Sequence, residues 1–267
     1  MTSPLIDSHC HLDDPQFDPD RNDVLNRCNE LNIIQIIIPG VVEQQWHRAF
    51  SLSEQHDNIQ VAAGLHPLFI DNHNHHSSDA LNSTLQAHPE TVAVGEIGLD
   101  FYHKDDTHDA QRTLFTDQLE IAATYRKPLL LHVRKAHQEV IERTRKHNYI
   151  QGIVHAFSGS YEQAKLYIDA GFLIGIGGVI TRPNALKLKR VVEKIPLTSI
   201  ALETDAPDLP PIWAQGTRNS PEQLPSIAER IAQIRKIPLE LVAFQTTQNV
   251  TTLLKLQHYK RQVCTND

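Results

Sequence analysis

Along the chain, short apolar runs rich in β-branched residues alternate with stretches whose apolar positions recur every three to four residues. The first pattern predicts strands and the second predicts amphipathic helices. Eight runs read as strands: Leu5 to Ser8, Ile33 to Pro39, Ile59 to Gly64, Thr91 to Glu96, Pro128 to Val133, Gly152 to His155, Phe172 to Ile176 and Ser199 to Glu203. Helices are predicted over Asp20 to Leu31, Glu43 to Gln55, Asp79 to Ala87, Asp109 to Tyr125, Lys135 to His147, Tyr161 to Ala170 and Asn184 to Glu193, with Ser220 to Ile234 and Leu239 to Leu254 closing the chain. Strands that alternate with helices form a parallel sheet buried on both faces. Eight βα units within 267 residues close as a TIM (β/α)8 barrel of the α/β class. An open doubly wound sheet is the alternative, and it would spread the strand ends along a line rather than around a mouth. No repeat or linker divides the chain, so one domain is expected over residues 1–267.

Composition narrows the class. With 40% hydrophobic and 21% charged residues the chain has the balance of a soluble globular protein. A formal net charge of -7 argues against a broad basic surface, so a polyanionic substrate would have to be held by bound cations and a few local Lys or Arg. Cys10, Cys28 and Cys264 form no disulfide framework and fit a reducing compartment. The N-terminus lacks the basic and apolar regions of a secretory signal, and no apolar run approaches a membrane span. The expectation is a cytoplasmic protein with no membrane association and no obligatory protein partner.

Candidate chemistry falls at the strand ends. His9 and His11 follow the first strand and lie two residues apart, a spacing that puts both imidazoles on one side of an extended segment. Glu96, His132, His155 and Asp205 close or follow the fourth, fifth, sixth and eighth strands. In a barrel of this kind the carboxyl ends of the strands carry the chemistry. Any one of these histidines alone reads more simply as a hydrogen-bonded structural residue. Six mixed imidazole and carboxylate groups at one rim instead predict a metal site at the C-terminal ends of the strands, with more ligands than one tetrahedral ion needs. Two divalent cations sharing a carboxylate fit this set, and spacing does not choose among zinc, manganese and magnesium.

Other residues near the rim read less sharply. His66 reaches it after the third strand as a substrate-contacting residue or as a cap of the Pro67 turn. Glu203 lies two residues before Asp205, so an extended strand eight would face both carboxylates the same way. Its simpler reading is a partner that orients a ligand imidazole. Arg134 suits an anionic phosphate or a surface carboxylate equally. The polar loop after strand three, with His73, His75 and His76, reads as solvated surface. Gly175-Ile176-Gly177-Gly178 lacks the Lys and Ser/Thr of a phosphate-binding loop and reads as a closely packed strand end.

These residues lie in motifs that resemble the TatD-like metal-dependent hydrolases, a branch of the amidohydrolase superfamily described as deoxyribonucleases. The resemblance rests on Asp7-Ser8-His9-Cys10-His11-Leu12-Asp13, Gly64-Leu65-His66-Pro67, Gly95-Glu96-Ile97-Gly98-Leu99-Asp100-Phe101, Leu131-His132-Val133-Arg134, His155-Ala156-Phe157-Ser158-Gly159 and Leu202-Glu203-Thr204-Asp205-Ala206-Pro207, and spans nearly the whole chain. It implies a TIM barrel with His9, His11, Glu96 and Asp205 around one cation and Glu96, His132 and His155 around a second, Glu96 bridging. It also implies DNA as substrate. Two details depart from the commonest family pattern: Lys135 follows Arg134 where many relatives carry Asp, and the last helix ends Asn249-Val250-Thr251-Thr252-Leu253-Leu254.

The function so predicted is hydrolysis of DNA phosphodiester bonds by a water activated between two cations. Asp205 receives the proton, Glu203 or a water relays it, and Arg134 and His66 meet the substrate. Hydrolysis of a small amide, ester or phosphoester at the same metals is the alternative within enzymes. A non-catalytic metal-binding or interaction protein is the alternative of another class.

Overall fold

The apolar runs become the strands β1 (Leu5–Asp7), β2 (Ile33–Ile38), β3 (Ile59–Ala63), β4 (Ala93–Asp100), β5 (Leu129–Arg134), β6 (Gly152–Val154), β7 (Phe172–Ile176) and β8 (Ile200–Leu202). The computed structural model describes residues 3–74, 76–102, 106–147 and 150–256; His75 and Cys264, and parts of the expected 1–267 domain, lie outside the described residues. Every strand pairs in parallel with the next, in the order β1 to β8. Between β8 and β1 the Ser8 N–H donates to the Leu202 carbonyl at 2.9 Å. The circle is therefore a TIM barrel, as predicted.

Helices α1 (Arg21–Glu30), α2 (Trp46–Gln55), α3 (Ser77–Ala87), α4 (His108–Tyr125), α5 (His137–Thr144), α6 (Tyr161–Asp169) and α7 (Leu186–Lys194) fill the seven crossovers, and α8 (Leu224–Arg235) and α9 (Leu239–Leu254) follow β8. The loop predicted after β3 instead contains a 3-10 segment, Pro67–Asn72, and α3 begins two residues early. α5 starts two residues late because Lys135 takes a left-handed conformation, φ 60°.

Two apolar layers hold the barrel. Ile6, Ile37, Ala62, Ala93, Leu130, Ile153 and Ala201, with Leu173, supply one inward side chain from each strand, and Val250, Leu253 and Leu254 of α9 plug the lower end. The outward faces pack on the helices. Side chains two residues further along an extended strand share its face, so His132 stands above Leu130, His155 above Ile153 and Glu203 above Ala201. The period that builds the core also lifts these groups into the mouth.

Polar ties set the strand ends. Asp7 is fully buried and accepts from the Thr204 N–H at 3.0 Å and the Thr204 hydroxyl at 2.5 Å, fastening β1 to the chain beyond β8. Burial pushes its carboxyl up to about 7 despite those bonds. On α4, Gln118 grips the backbone of Leu65 through both its N–H and its carbonyl (2.8 and 3.1 Å), and Gln111 accepts the Asp100 N–H at 2.9 Å. These buried amides fix the residue before His66 and the end of β4.

β4 and β5 run past the expected ends at Glu96 and Val133. Their ladder continues through Gly98–His132 and Asp100–Arg134, with a register slip between Gly95 and Ile97. Glu96 is the residue left out of that ladder, and its N–H turns instead to the Gly40 carbonyl at 2.9 Å. Gly98 sits at φ 148°, where a Cβ would collide with the His132 carbonyl, so only glycine lets β4 approach His132 this closely. Strand eight stops at Leu202 rather than staying extended to Asp205. Asp205 adopts φ 58° while its N–H donates to the His9 carbonyl at 2.9 Å. Glu203 and Asp205 consequently do not share one direction.

Candidate metal centre

The six residues predicted as ligands converge above the inner apolar layer. His9 and His11 follow β1 on a segment held by Cys10 N–H to the Ile37 carbonyl (3.0 Å) and His11 N–H to the Ala206 carbonyl (2.8 Å). His9 Nε2 lies 3.0 Å from Glu96 Oε2 and 3.7 Å from Asp205 Oδ1, and His11 Nε2 lies 3.8 and 3.7 Å from the same two oxygens. On the other side Glu96 Oε1 meets His132 Nδ1 at 2.8 Å and His66 Nε2 at 3.1 Å. His155 stacks on His9 with ring centroids 3.6 Å apart, and its Nε2 is 3.4 Å from Asp205 Oδ1.

Among the described residues three overlapping triads have donor atoms close enough to share an ion: His9, His11 and Glu96; His9, His155 and Asp205; and His66, Glu96 and His132. His155 thus groups with His9 and Asp205, not with Glu96 and His132 as the resemblance implies. His66 takes the third place beside Glu96 and His132, but its hydrogen bonds argue against ligation. The Leu68 N–H donates to His66 Nδ1 at 3.1 Å. In a neutral ring this leaves the proton on Nε2, which then donates toward Glu96 Oε1. Burial, the largest influence on His66, pushes its pKa down and favours that neutral ring.

The donor set fits divalent cations. Nδ1 of fully buried His9 lacks a hydrogen-bond partner among the described residues and its Nε2 faces carboxylate oxygens of Glu96 and Asp205, an arrangement that is costly unless something satisfies the ring. Burial first and then His155 push His9 well below its ordinary pKa, and burial takes His11 down to about 4, so both rings are neutral donors at pH 7. Burial pushes Asp205 up to about 8 against the pull of His155, with Glu96 and Glu203 adding to the rise. Burial also opposes charge on His155, yet Asp205, Glu203 and Glu96 hold it up to about 10. Crowded carboxylates thus hold protons where a cation would serve the same electrostatic purpose.

Two further carboxylates orient the imidazoles. Glu203 is fully buried; its Oε1 accepts the Ala156 N–H at 2.7 Å and lies 3.2 Å from His155 Nδ1. A Cβ at Gly175 would strike Glu203 Oε2, so this glycine makes room for the carboxylate. Asp100 was not singled out from the sequence. Its Oδ2 is 3.0 Å from His132 Nε2 and 3.9 Å from Arg134 Nη1, while Oδ1 accepts the Tyr102 N–H at 2.9 Å. Its four-residue spacing from Glu96 on one strand was the available signal, but the slip at Glu96 concealed the pairing. Arg134 is partly exposed and stacks its guanidinium 3.6 Å from the Tyr102 ring centroid. Of the loop histidines, His73 bonds the His66 carbonyl at 3.0 Å and His76 is exposed, so neither joins the cluster.

Asp100→Asn is expected to keep the fold and weaken metal affinity roughly 10- to 100-fold, because such carboxylate partners set a ligand imidazole's tautomer. The asparagine NH2 would donate to His132 Nε2 and move the ring proton to Nδ1, the nitrogen that faces Glu96. A metal titration followed calorimetrically checks this, and unchanged affinity would show that Asp100 does not set the tautomer.

Comparison with known proteins gives a consistent result. A family profile described as TatD related DNase matches residues 6–255. YjjV of Escherichia coli, described as an uncharacterized metal-dependent hydrolase, is 36% identical over 96% of this chain and 100% of its own. YabD of Bacillus subtilis, described in the same terms, is 33% identical over 94% of this chain and 99% of its own. The crystal structure of YjjV, a TatD homologue, superposes with a TM-score of 0.92 over 96% of this chain and 100% of that one at 36% identity. A TatD family hydrolase from Entamoeba histolytica, 20% identical, shares the fold with a TM-score of 0.81 over 95% of this chain and 98% of that one.

Proposed function

The chain belongs to the TatD-related family of metal-dependent hydrolases, and from that premise we propose that it is a deoxyribonuclease that hydrolyses phosphodiester bonds with two divalent cations. The observation that carries the reading is Glu96, whose two oxygens face His9 and His11 on one side and His132 on the other. Under this reading His9, His11, Glu96 and Asp205 would hold one cation and Glu96 and His132 the other, with His155, which lies against His9 and Asp205, completing the second set by turning its ring toward Glu96. Bound cations supply the Lewis acidity that makes water a nucleophile near neutral pH and offset charge on the phosphate.

The chain's own groups do the rest. Asp205 Oδ accepts the proton of the attacking water; a cation held beside it would keep this carboxylate ionised for that role. As the new P–O bond forms and the ester P–O bond breaks, the same proton passes to the leaving oxygen. Glu203 keeps the His155 ring in place. The Arg134 guanidinium, steadied by Tyr102 and Asp100, donates to the phosphate oxygens, and His66, whose Nε2–H goes to Glu96 Oε1, meets the substrate at the rim.

A net charge of -7 favours the alternative, a small amide, ester or phosphoester as substrate. One experiment separates the readings. Chelated protein is incubated with single-stranded and duplex DNA and with bis(4-nitrophenyl) phosphate while magnesium, manganese or zinc is restored in turn. DNA cleavage that returns with the ion and is absent in Asp205→Asn supports the nuclease. Turnover of the small diester alone supports the alternative, and stoichiometric metal uptake with no turnover at all supports a non-catalytic protein. No described helix is long and apolar enough to cross a membrane.

A further inference from the structure

Two cavities flank the metal centre, and they differ in charge. One, of about 590 Å³, opens between the ends of β5, β6 and β7 and the start of α7; Arg134 and Lys187 line it over Val133, Phe157, Val179 and Leu188. The other, of about 460 Å³, lies toward the segments after β1 and β3 and is lined by Asp13, Asp14, Gln45 and Arg48. His132, His155 and Asp205 border both, as does Asp208.

The basic groups in the two cavities are not equally available. Arg48 is committed, its Nη2 to Asp18 Oδ1 at 2.5 Å and its Nε to the Asp13 carbonyl at 2.8 Å. Arg134 faces Asp100 only at 3.9 Å. Lys187 is exposed, and its Nζ touches the Ser158 carbonyl at 3.1 Å. Among the described residues no carboxylate forms an ion pair with it. Beyond the carboxylates of the metal centre and Asp208, one cavity therefore offers two positive charges above an apolar floor, and the other offers the Asp13 and Asp14 carboxylates with Arg48, which Asp18 already holds.

We infer that a polynucleotide substrate runs along the Arg134 and Lys187 side of the metal centre only, with Lys187 a phosphate-positioning residue and the Asp13 and Asp14 side closed to a continuing polyanion. This rests on the nuclease reading above. Phosphate contacts place a strand without reading its sequence, and an apolar floor accommodates a base face. A second run of phosphates past Asp13 and Asp14 would meet like charge in a partly desolvated cleft, where repulsion exceeds its value in open water.

The test uses metal-loaded protein and a fluorescein-labelled phosphorothioate oligothymidylate, which keeps the charge of DNA and resists cleavage. Binding is followed by anisotropy across a salt series for the wild type, Lys187→Gln and Gln45→Glu. Each substitution changes the charge of one cavity by a single unit. Lys187→Gln is expected to weaken binding roughly fivefold at low salt and to reduce the slope of log affinity against log salt by about 0.7, the share of one single-strand phosphate contact. Gln45→Glu is expected to change affinity less than about twofold by the same electrostatic argument. Equal losses in both variants, or an unchanged Lys187→Gln, would overturn the inference while leaving the nuclease intact. A wild type that turns over bis(4-nitrophenyl) phosphate yet neither binds the oligonucleotide nor cleaves DNA would overturn both together.

Discussion

Replacing Glu96 with alanine is expected to lower phosphodiester hydrolysis on the order of 10³-fold, about 4 kcal/mol of transition-state stabilisation, and to reduce bound metal below that of the wild type. Glu96 sits at the centre of the cluster: Oε2 is 3.0 Å from His9 and Oε1 is 2.8 Å from His132. Burial alone would raise its pKa, but His66, His9 and His155 hold it well below the carboxylate range, so it is a full negative charge at pH 7. Removing it takes away the carboxylate that lies between His9 and His132 and leaves both imidazoles without that partner. Glu96→Gln keeps the shape and one acceptor oxygen, so it separates loss of charge from loss of packing. Metal content by mass spectrometry and the turnover of both variants decide the matter. Metal content and activity that both survive in Glu96→Ala would end the bridging assignment. Circular dichroism confirms that the barrel has formed.

Much of this site was readable before folding because the period that marks a strand also marks what stands above it. Leu130 and His132, or Ile153 and His155, declare the same face two residues apart, and an apolar run that ends in His or Glu is uncommon enough to notice. What stayed hidden depends on pairing between distant segments. At the slip the Glu96 N–H finds the Gly40 carbonyl just beyond β2, and nothing local to β4 announces that. The turn at Asp205 depends on the closure of β8 onto β1, through His9 and Asp7, so a local reading left the strand extended. Asp100 resembled any rim carboxylate until β5 placed His132 Nε2 beside it. Gln111 and Gln118 interrupt the apolar face of α4, a pattern with meaning only once the backbone groups they satisfy are known. The availability of Lys187 likewise follows from which carboxylates lie elsewhere.

Metal-free protein is expected to lose thermal stability steadily from pH 6.5 to 10, roughly 3–8 °C per pH unit, whereas the metal-loaded protein should give a flatter profile. Folding raises Asp7 to about 7 and Asp205 to about 8, so the native chain holds these protons more tightly than the unfolded one. Raising the pH from the ordinary carboxylate value through the folded value removes protons that the native state favours, and stability falls. His155, held up to about 10, contributes stability that is complete below its ordinary value of 6.5 and is lost as the pH climbs toward 10. His9 and His11 act in the opposite sense. Their pKa values are depressed, that of His11 to about 4, so their contribution grows as pH rises toward 6.5 and is complete above it. Below pH 6.5 the opposing slopes partly cancel; above it every remaining slope has one sign. Cations bound among His9, His155 and Asp205 take the place of those protons, so loading should remove the slopes due to His155 and Asp205 and leave the one due to Asp7, which lies outside the ligand set. Calorimetric melts of chelated and reloaded protein at pH 6.5, 8 and 9.5 test this. Parallel profiles would mean that protons and cations do not compete for this cluster.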